Sequence, residues 1–401
     1  MPAPLPPESS GSPQGEPMTF EPGPSPTAAL EAIAIPEIEH VDLVTVSLPL
    51  VAPFGTSVST WTRKEALLVR VESDGVTAWG ECVADPDPFY SYETNETARH
   101  IIRDFLVRQL EPGLTLGGLE ERFRRVRGHN MAKAAVENAI VILIAMQRGV
   151  PLHALLGWPP KRIMSGLSIG LQDSQSALLE KVERAVARGY HRIKMKVRRG
   201  QDVEWVRAVR DRFPNVPLMA DANGDYTLAD AGRLRELDAF NLTMIEQPLS
   251  YADIIEHAAL QRELKTAICL DESIRGLADA ASALSIGACR VINVKQGRVG
   301  GLLESVRIAH HAASRGAGVW SGGMDETGIG RLVNIHLQAA HGFSLPGDTS
   351  ETANYFHEDI VEKPVVLGAG GFIDIPPGPG LGVRVVPELV LKKTTRAERL
   401  R

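Results

Sequence analysis

The chain has 401 residues, of which 44% are hydrophobic and 23% are charged, and its formal net charge at pH 7 is −6. This composition is typical of a soluble globular protein with room for two domains. The lack of a basic surplus argues against nucleic acid as the main partner, because few charges would be left to neutralise phosphates.

Cysteine content and apolar runs exclude several further classes. Cys82, Cys269 and Cys289 are too few and too widely spaced for a disulfide framework or a zinc cluster. The N-terminus lacks the basic-then-apolar pattern of a signal peptide. No apolar run reaches the roughly 18 residues of a membrane helix. We therefore expect a cytoplasmic protein that does not bind membranes.

The first part of the chain predicts a tail followed by a small domain. Residues 1–36 are rich in Pro, Ser, Gly and Glu and can bury little apolar surface, so we expect a disordered tail. Residues 37–160 hold the strand-like segments VDLVTVSLPL, ALLVRVES and VTAWGEC. Asp74-Gly75 predicts a hairpin between the last two. The helical patterns ETARHIIRDFLVRQL and AKAAVENAIVILIAMQRGV follow, which predicts an α+β unit.

From about residue 161 to 363, strand-like segments alternate with amphipathic helices. The eight candidate strands are MSGLSIG, HRIKMKV, VPLMADAN, LTMIEQP, TAICLDES, RVINVKQG, GAGVWSGG and a last one near FSLPGD. This α/β alternation predicts a (β/α)₈-type barrel, and the first domain would cap it. Extended Pro- and Gly-rich segments from about 364 to 395 are expected to return and complete the capping domain.

Five charged residues stand at the ends of successive barrel strands, at intervals of 25, 25, 25 and 24 residues. They are Lys196, Asp221, Glu246, Asp271 and Lys295. One βα unit is about this long, so the five would meet at the C-terminal end of the barrel, where barrel enzymes carry their active sites. Regularly spaced surface charges are the alternative. Each residue follows an apolar run, however, where an unpaired charge is costly.

The three carboxylates predict a metal site. Asp221, Glu246 and Asp271 would repel one another without a cation, and all-oxygen ligands suit Mg²⁺ or Mn²⁺. The absence of histidine and cysteine among them speaks against zinc. Asn223 and Glu272 follow closely enough to support the ligands. Nearby positive charge would lower the pKa of a flanking lysine and let it act as a base.

Several short segments carry a family resemblance that covers residues 39–390. They are KMK (194–196), DAN (221–223), IEQP (245–248), DES (271–273), NVK (293–295), CLDESIR, KQGRVGGLLE, SGGMDETGIGR and SLPGDTS, with the capping-loop segments PFGTS and WGECVADPDPFYSYE. Together they resemble the enolase superfamily in its muconate-lactonizing-like subgroup. The closer match is to the o-succinylbenzoate synthase and N-succinylamino acid racemase family.

This resemblance implies roles for the charged residues. Lys196 would be the main base and Lys194 would assist it. Lys295 would be the opposing acid or base, or a cation that faces the intermediate. Glu326 would lie near the substrate carboxylate, with Met324 in the same stretch.

Other residues are candidate substrate contacts. Phe54, Phe89 and Tyr90 lie on Gly- and Pro-flanked capping loops that could exclude water from the barrel mouth. Ser168, near the end of the first barrel strand, could donate to a succinyl group, although a plain strand end accounts for it equally well. Arg298 follows Lys295 by three residues and could tune that lysine or a substrate carbonyl.

Two positions depart from the family pattern. Gln296 stands where the family often has proline, and Asp325 stands where it often has an apolar residue. Both lie near the expected barrel mouth, so both bear on the identity of the substrate.

The implied chemistry is Mg²⁺-dependent removal of the proton α to a carboxylate of a small substrate. The family leaves two reactions open, dehydration to 2-succinylbenzoate in menaquinone synthesis and racemization of N-succinylamino acids. A non-catalytic metal-binding homologue would need neither lysine. An acid-sugar dehydratase would be expected to carry a His–Asp pair where Lys295 stands. We also expect a homo-oligomer.

Overall fold

The computed structural model of the chain describes residues 25–55 and 60–401, which form a capping domain and a barrel domain. The capping domain is built on a four-stranded antiparallel sheet with the order β13-β1-β2-β3. Its strands are β1 (His40–Gly55), β2 (Thr60–Ser73), β3 (Val76–Cys82) and β13 (Thr394–Arg399).

The turn between β2 and β3 is the hairpin that the sequence predicts. Asp74 and Gly75 both have positive φ angles, 49° and 73°. Two such residues in succession match the right-handed twist of the strands that they connect. Pairing then runs without interruption from Ser73 and Val76 to Leu67 and Cys82.

Both ends of the described chain pack on the capping domain. The final strand, β13, pairs with β1 from Asp42–Arg399 to Val46–Thr394. The chain therefore returns to the capping domain, but the returning part continues past residue 395, where we expected it to end. Residues 25–36, which we expected to be part of a disordered tail, are ordered around helix α1 (Ala28–Glu31). That expectation was wrong for these residues because Leu30 and Ile35 reach the core. Residues 1–24 of the expected tail lie outside the described residues.

The remaining capping-domain helices cover one face of the sheet. They are α2 (Asn95–Ile101), which continues as a π-helical turn (Ile102–Leu106) and a 3₁₀ turn (Val107–Gln109), then α3 (Leu116–Arg124), α4 (Asn130–Gln147) and α5 (Leu152–Leu155). Helix α4 crosses β3 at Gly80, where a Cβ atom would lie 2.0 Å from the Ala135 carbonyl oxygen. Glycine at this position therefore allows the helix to approach the sheet.

Seven parallel strands form most of the barrel, in the order β11-β10-β9-β8-β7-β6-β5. They are β5 (Gly166–Ile169), β6 (Arg192–Lys196), β7 (Leu218–Asp221), β8 (Ile245–Glu246), β9 (Ile268–Leu270), β10 (Val291–Val294) and β11 (Gly318–Ser321). The (β/α)-barrel with an α+β cap is thereby confirmed.

The eighth barrel position is filled by an irregular segment. The Gly347 carbonyl accepts a hydrogen bond from Gly166 N–H at 2.7 Å, and Asp348 N–H donates to the Ser321 carbonyl at 2.9 Å, so both neighbouring strands are joined to it. The expectation of eight regular strands was wrong at this point. Pro346 has no N–H to continue a ladder, which limits the segment to an isolated bridge.

Helices surround these strands. They are α6 (Gln175–Arg188), α7 (Val203–Arg212), α8 (Ala231–Glu236), α9 (Ile255–Glu263), α10 (Leu277–Ser285), α11 (Gln296–Val299), α12 (Leu302–Ser314) and α13 (Gly328–Leu337). Helix α14 (Pro387–Lys393) packs instead against β1 of the capping domain. Single 3₁₀ turns span Leu228–Asp230, Leu237–Phe240, Thr352–Asn354 and Ala369–Gly371. A small ribbon pairs β4 (Ile163–Met164) with β12 (Phe372–Ile373). Within the described residues, no helix has the length and apolar character needed to cross a membrane.

Two buried glutamates of the capping domain bind the N-termini of barrel helices. Glu81 on β3 accepts hydrogen bonds from Thr327 N–H at 3.0 Å and from Gly330 N–H at 2.9 Å, at the start of α13. Glu137 on α4 accepts one from Leu303 N–H at 3.1 Å, at the start of α12. Because these N–H groups have no partner inside their helices, the two carboxyl groups join the domains.

Burial raises the pKa of Glu81 to about 7 and that of Glu137 to about 8. Each group therefore keeps a proton in the folded state at pH values where an unfolded glutamate, with a pKa near 4.5, has lost it. The stability that this proton contributes is present below about pH 4.5 and is lost as the pH rises to about 8.

We predict that Glu137→Gln removes this pH dependence at one site, since glutamine mimics the protonated acid. The free energy of unfolding of the variant should rise relative to the original chain by about 1 kcal/mol per pH unit between about pH 5 and about pH 8. Chemical denaturation at several pH values measures the difference. Glu180→Gln, on the exposed side of α6, is the matched control. A constant difference for Glu137→Gln across that range would contradict the prediction.

Candidate active site

The five charged strand-end residues lie at one end of the barrel. Lys196 pairs in register with Asp221, and Asp221 pairs with Glu246, across β6, β7 and β8. Asp271 directly follows β9 and Lys295 directly follows β10. Strands β6 and β10 are four positions apart in a barrel of eight positions, so the two lysines approach from opposite sides with the carboxylates between them.

Buried lysines neutralise the carboxylates. The Lys196 ammonium donates to Asp221 Oδ2 at 2.6 Å and to Asn223 Oδ1 at 2.7 Å. The Lys194 ammonium lies 3.3 Å from Asp221 and 3.2 Å from Glu246. Lys295 Nζ is 3.0 Å from Asp271 Oδ2. Each of the three carboxylates thus has at least one lysine as a partner.

The pKa shifts of two carboxyl groups follow from this arrangement. Burial would raise the pKa of Asp221, but Lys196 and Lys194 outweigh it and hold that pKa well below its usual range. Burial raises the pKa of Glu246, and the charge of Asp221 raises it further. Two adjacent carboxylates therefore resist simultaneous ionisation unless positive charge is close.

Two lysines have pKa values that are raised, where the sequence had suggested that nearby positive charge would lower them. Burial would lower the pKa of Lys194, but Asp348, Glu246 and Asp221 outweigh it and raise the pKa. Burial would likewise lower the pKa of Lys295, but Tyr90, Glu272 and Glu246 raise it. The carboxylates that surround these ammonium groups cause the difference.

The donor set fits a hard divalent cation. Asp221, Glu246 and Asp271 are buried and offer only carboxylate oxygens, and Glu272 Oε2 is buried without a hydrogen-bond partner. Asn223 Nδ2 donates to Glu272 Oε1 at 3.0 Å. The described residues contain no preformed metal site, that is, no group of three or more Asp, Glu, His or Cys side chains close enough together to hold a metal ion. The lysine ammonium groups lie among the carboxylates instead.

A cavity of about 900 Å³, partly open to solvent, lies between the capping domain and this end of the barrel. The predicted site residues that line it are Phe54, Tyr90, Ser168, Lys194, Lys196, Asn223, Lys295, Met324 and Glu326. The Ser168 hydroxyl is buried without a hydrogen-bond partner, so it is available to a bound molecule. Asn334 Nδ2 donates to Glu326 Oε1 at 2.9 Å and fixes that carboxylate.

Two predicted substrate contacts lie elsewhere. Phe89 is 63% exposed and points to solvent, because the loop bends and turns only the adjacent Tyr90 toward the cavity. Arg298 is buried beside the site, where it pairs with Asp271 and donates from Nε to the Ile274 carbonyl at 2.9 Å. It therefore contacts a carboxylate rather than the cavity.

The Tyr90 hydroxyl connects the capping domain to the charged residues. It accepts a hydrogen bond from Lys295 Nζ at 3.0 Å and lies 3.4 Å from Asp271 Oδ1. The ring lies 4.6 Å from the same ammonium nitrogen, within cation–π distance. One capping-domain residue thus orients Lys295.

Sequence reasoning missed several residues at this site. Asp348 binds the Lys194 ammonium at 2.6 Å and also pairs with the buried Arg192. Asn293 Nδ2 donates to Glu246 Oε1 at 2.6 Å. Asp348 ends the eighth barrel segment, so the strand-end rule that found the other carboxylates also applies to it. For Lys64 and Asp85, which face the cavity from the capping domain, no local pattern gives a signal.

Comparison with known proteins agrees with the two-domain fold. The family model described as "Enolase C-terminal domain-like" matches residues 177–389. The model described as "Mandelate racemase / muconate lactonizing enzyme, N-terminal domain" matches residues 38–157. The first match covers most of the barrel, and the second covers most of the capping domain.

Individual relatives extend over most of the chain. An o-succinylbenzoate synthase from Geobacillus stearothermophilus is 50% identical over 351 residues, 87% of this chain and 93% of the relative. An N-succinylamino acid racemase from Amycolatopsis sp is 43% identical over 362 residues, 90% of this chain and 98% of the relative. The solved structure of an enolase superfamily member from Listeria innocua Clip11262 is 38% identical, with a TM-score of 0.87 over 92% of this chain and all of that one. The chain therefore belongs to the enolase superfamily, in the family of its o-succinylbenzoate synthase and N-succinylamino acid racemase relatives.

Proposed function

We propose that this chain is a Mg²⁺-dependent enzyme that removes the proton α to a carboxylate, and that it acts as an o-succinylbenzoate synthase. The observation that carries the proposal is the position of Lys196 and Lys295, on opposite sides of the barrel with three buried carboxylates between them. A relative that is 50% identical bears the synthase name, which supports the choice of reaction.

Three carboxylates would hold the metal. We infer that Asp221, Glu246 and Asp271 bind Mg²⁺, for which Mn²⁺ can substitute, and that Asn223 and Glu272 support them. A dication bound there would supply positive charge at the substrate carboxylate, and it would replace the ammonium groups of Lys196 and Lys295 as partners of Asp221 and Asp271. Binding it would require these two ammonium groups to move away from Asp221 and Asp271.

The lysines would move the protons. Lys196 takes the α-proton from one face of the substrate, and its ammonium then gives a proton to the departing hydroxyl group, so that one water molecule leaves. Lys295 presents positive charge to the enediolate from the other face. Lys194, which is surrounded by carboxylates, stays protonated and assists by holding Asp221 and Glu246 in place.

N-succinylamino acid racemization is the second candidate activity. It needs a proton donor on each face of the α-carbon, and Lys196 with Lys295 meets that requirement. A relative that is 43% identical bears the racemase name. Both substrates carry a carboxylate, an acidic α-carbon and a succinyl arm. Homo-oligomeric assembly stays a prediction.

A side-by-side assay tests the proposal. Purified protein with Mg²⁺ should convert the cyclohexadiene carboxylate substrate of the synthase reaction and should be compared on a panel of N-succinylamino acids. Turnover of the panel alone would make racemization the main activity. No turnover of either class would favour a non-catalytic metal-binding homologue and overturn the proposal.

We predict that activity requires a divalent metal. Chelation with EDTA should abolish turnover, and Mg²⁺ or Mn²⁺ should restore it, because the three carboxylates cannot hold the substrate carboxylate without a cation. Turnover is measured before chelation, after it and after metal is returned. Full activity in a sample shown by elemental analysis to be free of metal would exclude this account.

We predict that the two lysines separate the two reactions. Lys196→Ala should lower both by a factor of about 10³ or more, since it removes the base. Lys295→Arg keeps the charge but has a pKa above about 12 and does not readily give up a proton, so it should retain some dehydration and lose racemization.

Proton exchange in D₂O measures this separation. In Lys295→Arg, the α-proton of only one enantiomer of an N-succinylamino acid should exchange, the one that faces Lys196. Lys363→Arg changes an exposed lysine in the same way and serves as the control. Equal exchange of both enantiomers in Lys295→Arg would show that the assignment of one lysine to each face is incorrect.

A further inference from the structure

The three carboxylates proposed as metal ligands are not held in the same way. Asp221 and Glu246 pair with each other across β7 and β8. Asp271 lies one residue past the end of β9, whose last paired residues are Cys269 on the β8 side and Leu270 on the β10 side. Strand pairing therefore fixes the main chain of the first two ligands, but in the described chain it stops short of Asp271.

The side chain of Gln247, the residue after Glu246, holds the main chain of Asp271 instead. Its Oε1 accepts hydrogen bonds from Asp271 N–H at 3.0 Å and from Ser273 N–H at 3.4 Å. Its Nε2 donates to Ser273 Oγ at 2.7 Å and to the Ser250 carbonyl at 3.0 Å. One fully buried amide thus uses its acceptor and its donors to join the segments that follow β8 and β9.

The main chain of Gln247 connects the site in the other direction. Its N–H donates to the Cys269 carbonyl at 2.9 Å, and its carbonyl accepts from Gly224 N–H at 2.7 Å. Gly224 follows Asn223, whose side chain binds the Lys196 ammonium. Gln247 therefore contacts the segments at the ends of β7, β8 and β9, the three strands that carry the carboxylates.

The backbone of Gln247 is strained. Its φ is 37°, in the left-handed region that glutamine rarely adopts. Asn223 has a similar φ of 43°, so the chain turns in the same way after two neighbouring ligand strands. Such a conformation persists only where the surroundings fix it, and it occurs often at functional sites. The hydrogen bonds of the Gln247 side chain and main chain fix it here.

We propose that Gln247 is a positioning residue that fixes Asp271 relative to Glu246 and thereby sets the affinity of the site for a divalent cation. This inference rests on the metal site of the proposed function. Mg²⁺ requires near-octahedral geometry with short metal–oxygen distances, so a small displacement of one ligand weakens binding. Changes to residues that orient metal ligands typically weaken affinity by about 10- to 100-fold.

An amide fits the groups around this position, and side chains of similar length do not. Methionine would leave the N–H groups of Asp271 and Ser273 and the carbonyl of Ser250 without these partners. A glutamate carboxylate would place an oxygen against the Ser250 carbonyl and add a second negative charge beside Glu246. The position therefore needs a donor and an acceptor on one neutral side chain.

The experiment measures the dissociation constant of Mn²⁺ in the original chain and in Gln247→Met. Mn²⁺ is titrated into the metal-free protein, and electron paramagnetic resonance reports the free ion. We expect Gln247→Met to raise the dissociation constant by about tenfold or more, because Asp271 loses the hydrogen bond that holds its main chain. Thermal unfolding followed by circular dichroism shows whether the variant is folded.

Gln261→Met is the matched control. Gln261 is also a buried glutamine, and its Oε1 accepts from Ile268 N–H at 2.7 Å while its Nε2 donates to the Thr266 carbonyl at 3.1 Å. Ile268 begins β9, at the end of the strand away from Asp271. Gln261→Met should therefore lower thermal stability to a similar degree but keep the Mn²⁺ dissociation constant within about twofold, since sites without shared contacts act independently.

Ser273→Ala is a milder change that tests the proposal even if Gln247→Met does not fold. It removes the hydroxyl that accepts from Gln247 Nε2 and donates to the Asp253 carbonyl at 2.6 Å, and it leaves the Gln247 side chain itself in place. The amide is then held less firmly, so we expect the Mn²⁺ dissociation constant to rise by about threefold, the effect of one hydrogen bond.

The outcomes separate this inference from the proposed function. An original chain that binds no Mn²⁺ would contradict the proposed metal site, and the inference with it. Tight binding that Gln247→Met leaves unchanged would overturn the inference alone, as would an unchanged constant in Ser273→Ala if Gln247→Met does not fold. Equal weakening by Gln247→Met and Gln261→Met would also overturn it, because the loss would then come from general disorder of the barrel.

Discussion

Three carboxylates at the ends of neighbouring strands require positive charge, and the arrangement of the site follows from that requirement. Asp221, Glu246 and Asp271 come together because β7, β8 and β9 are parallel neighbours. Lysines from β6 and from the end of β10 supply the charge in the described structure. A divalent cation is the alternative source of charge, and its binding would free the lysines for proton transfer.

The cavity depends on the contact between the two domains. From the capping domain it is lined by Phe54, Lys64, Asp85 and Tyr90. From the barrel it is lined by Lys196, Lys295 and Glu326. The buried carboxyl groups of Glu81 and Glu137 bind barrel helices across the same boundary, with hydrogen bonds to helix N-termini. The contact between the two domains that these hydrogen bonds stabilise therefore also encloses the cavity.

The sequence predicted those parts that local pattern determines. The spacing of the strand-end charges located the site because every βα unit has nearly the same length, and Asp74-Gly75 located the hairpin because both residues accept positive φ. The prediction of an eighth regular strand was wrong because Pro346 lacks the N–H group that strand pairing needs, whatever the apolar pattern around it. The position of the Phe89 side chain depends on how its loop bends, and that of Lys64 depends on how the two domains meet. No local sequence pattern specifies either. Whether Asp221, Glu246 and Asp271 bind metal stays a prediction.

The most direct test of this account is to measure the stoichiometry of Mn²⁺ binding. Electron paramagnetic resonance monitors the binding through the signal of the free ion. The account predicts one tightly bound Mn²⁺ per chain, displaced by excess Mg²⁺, and loss of that binding in Glu246→Gln, which removes the charge at the central carboxylate. Binding that is absent in the original chain, or that Glu246→Gln leaves unchanged, would contradict the claim that these three carboxylates form the metal site.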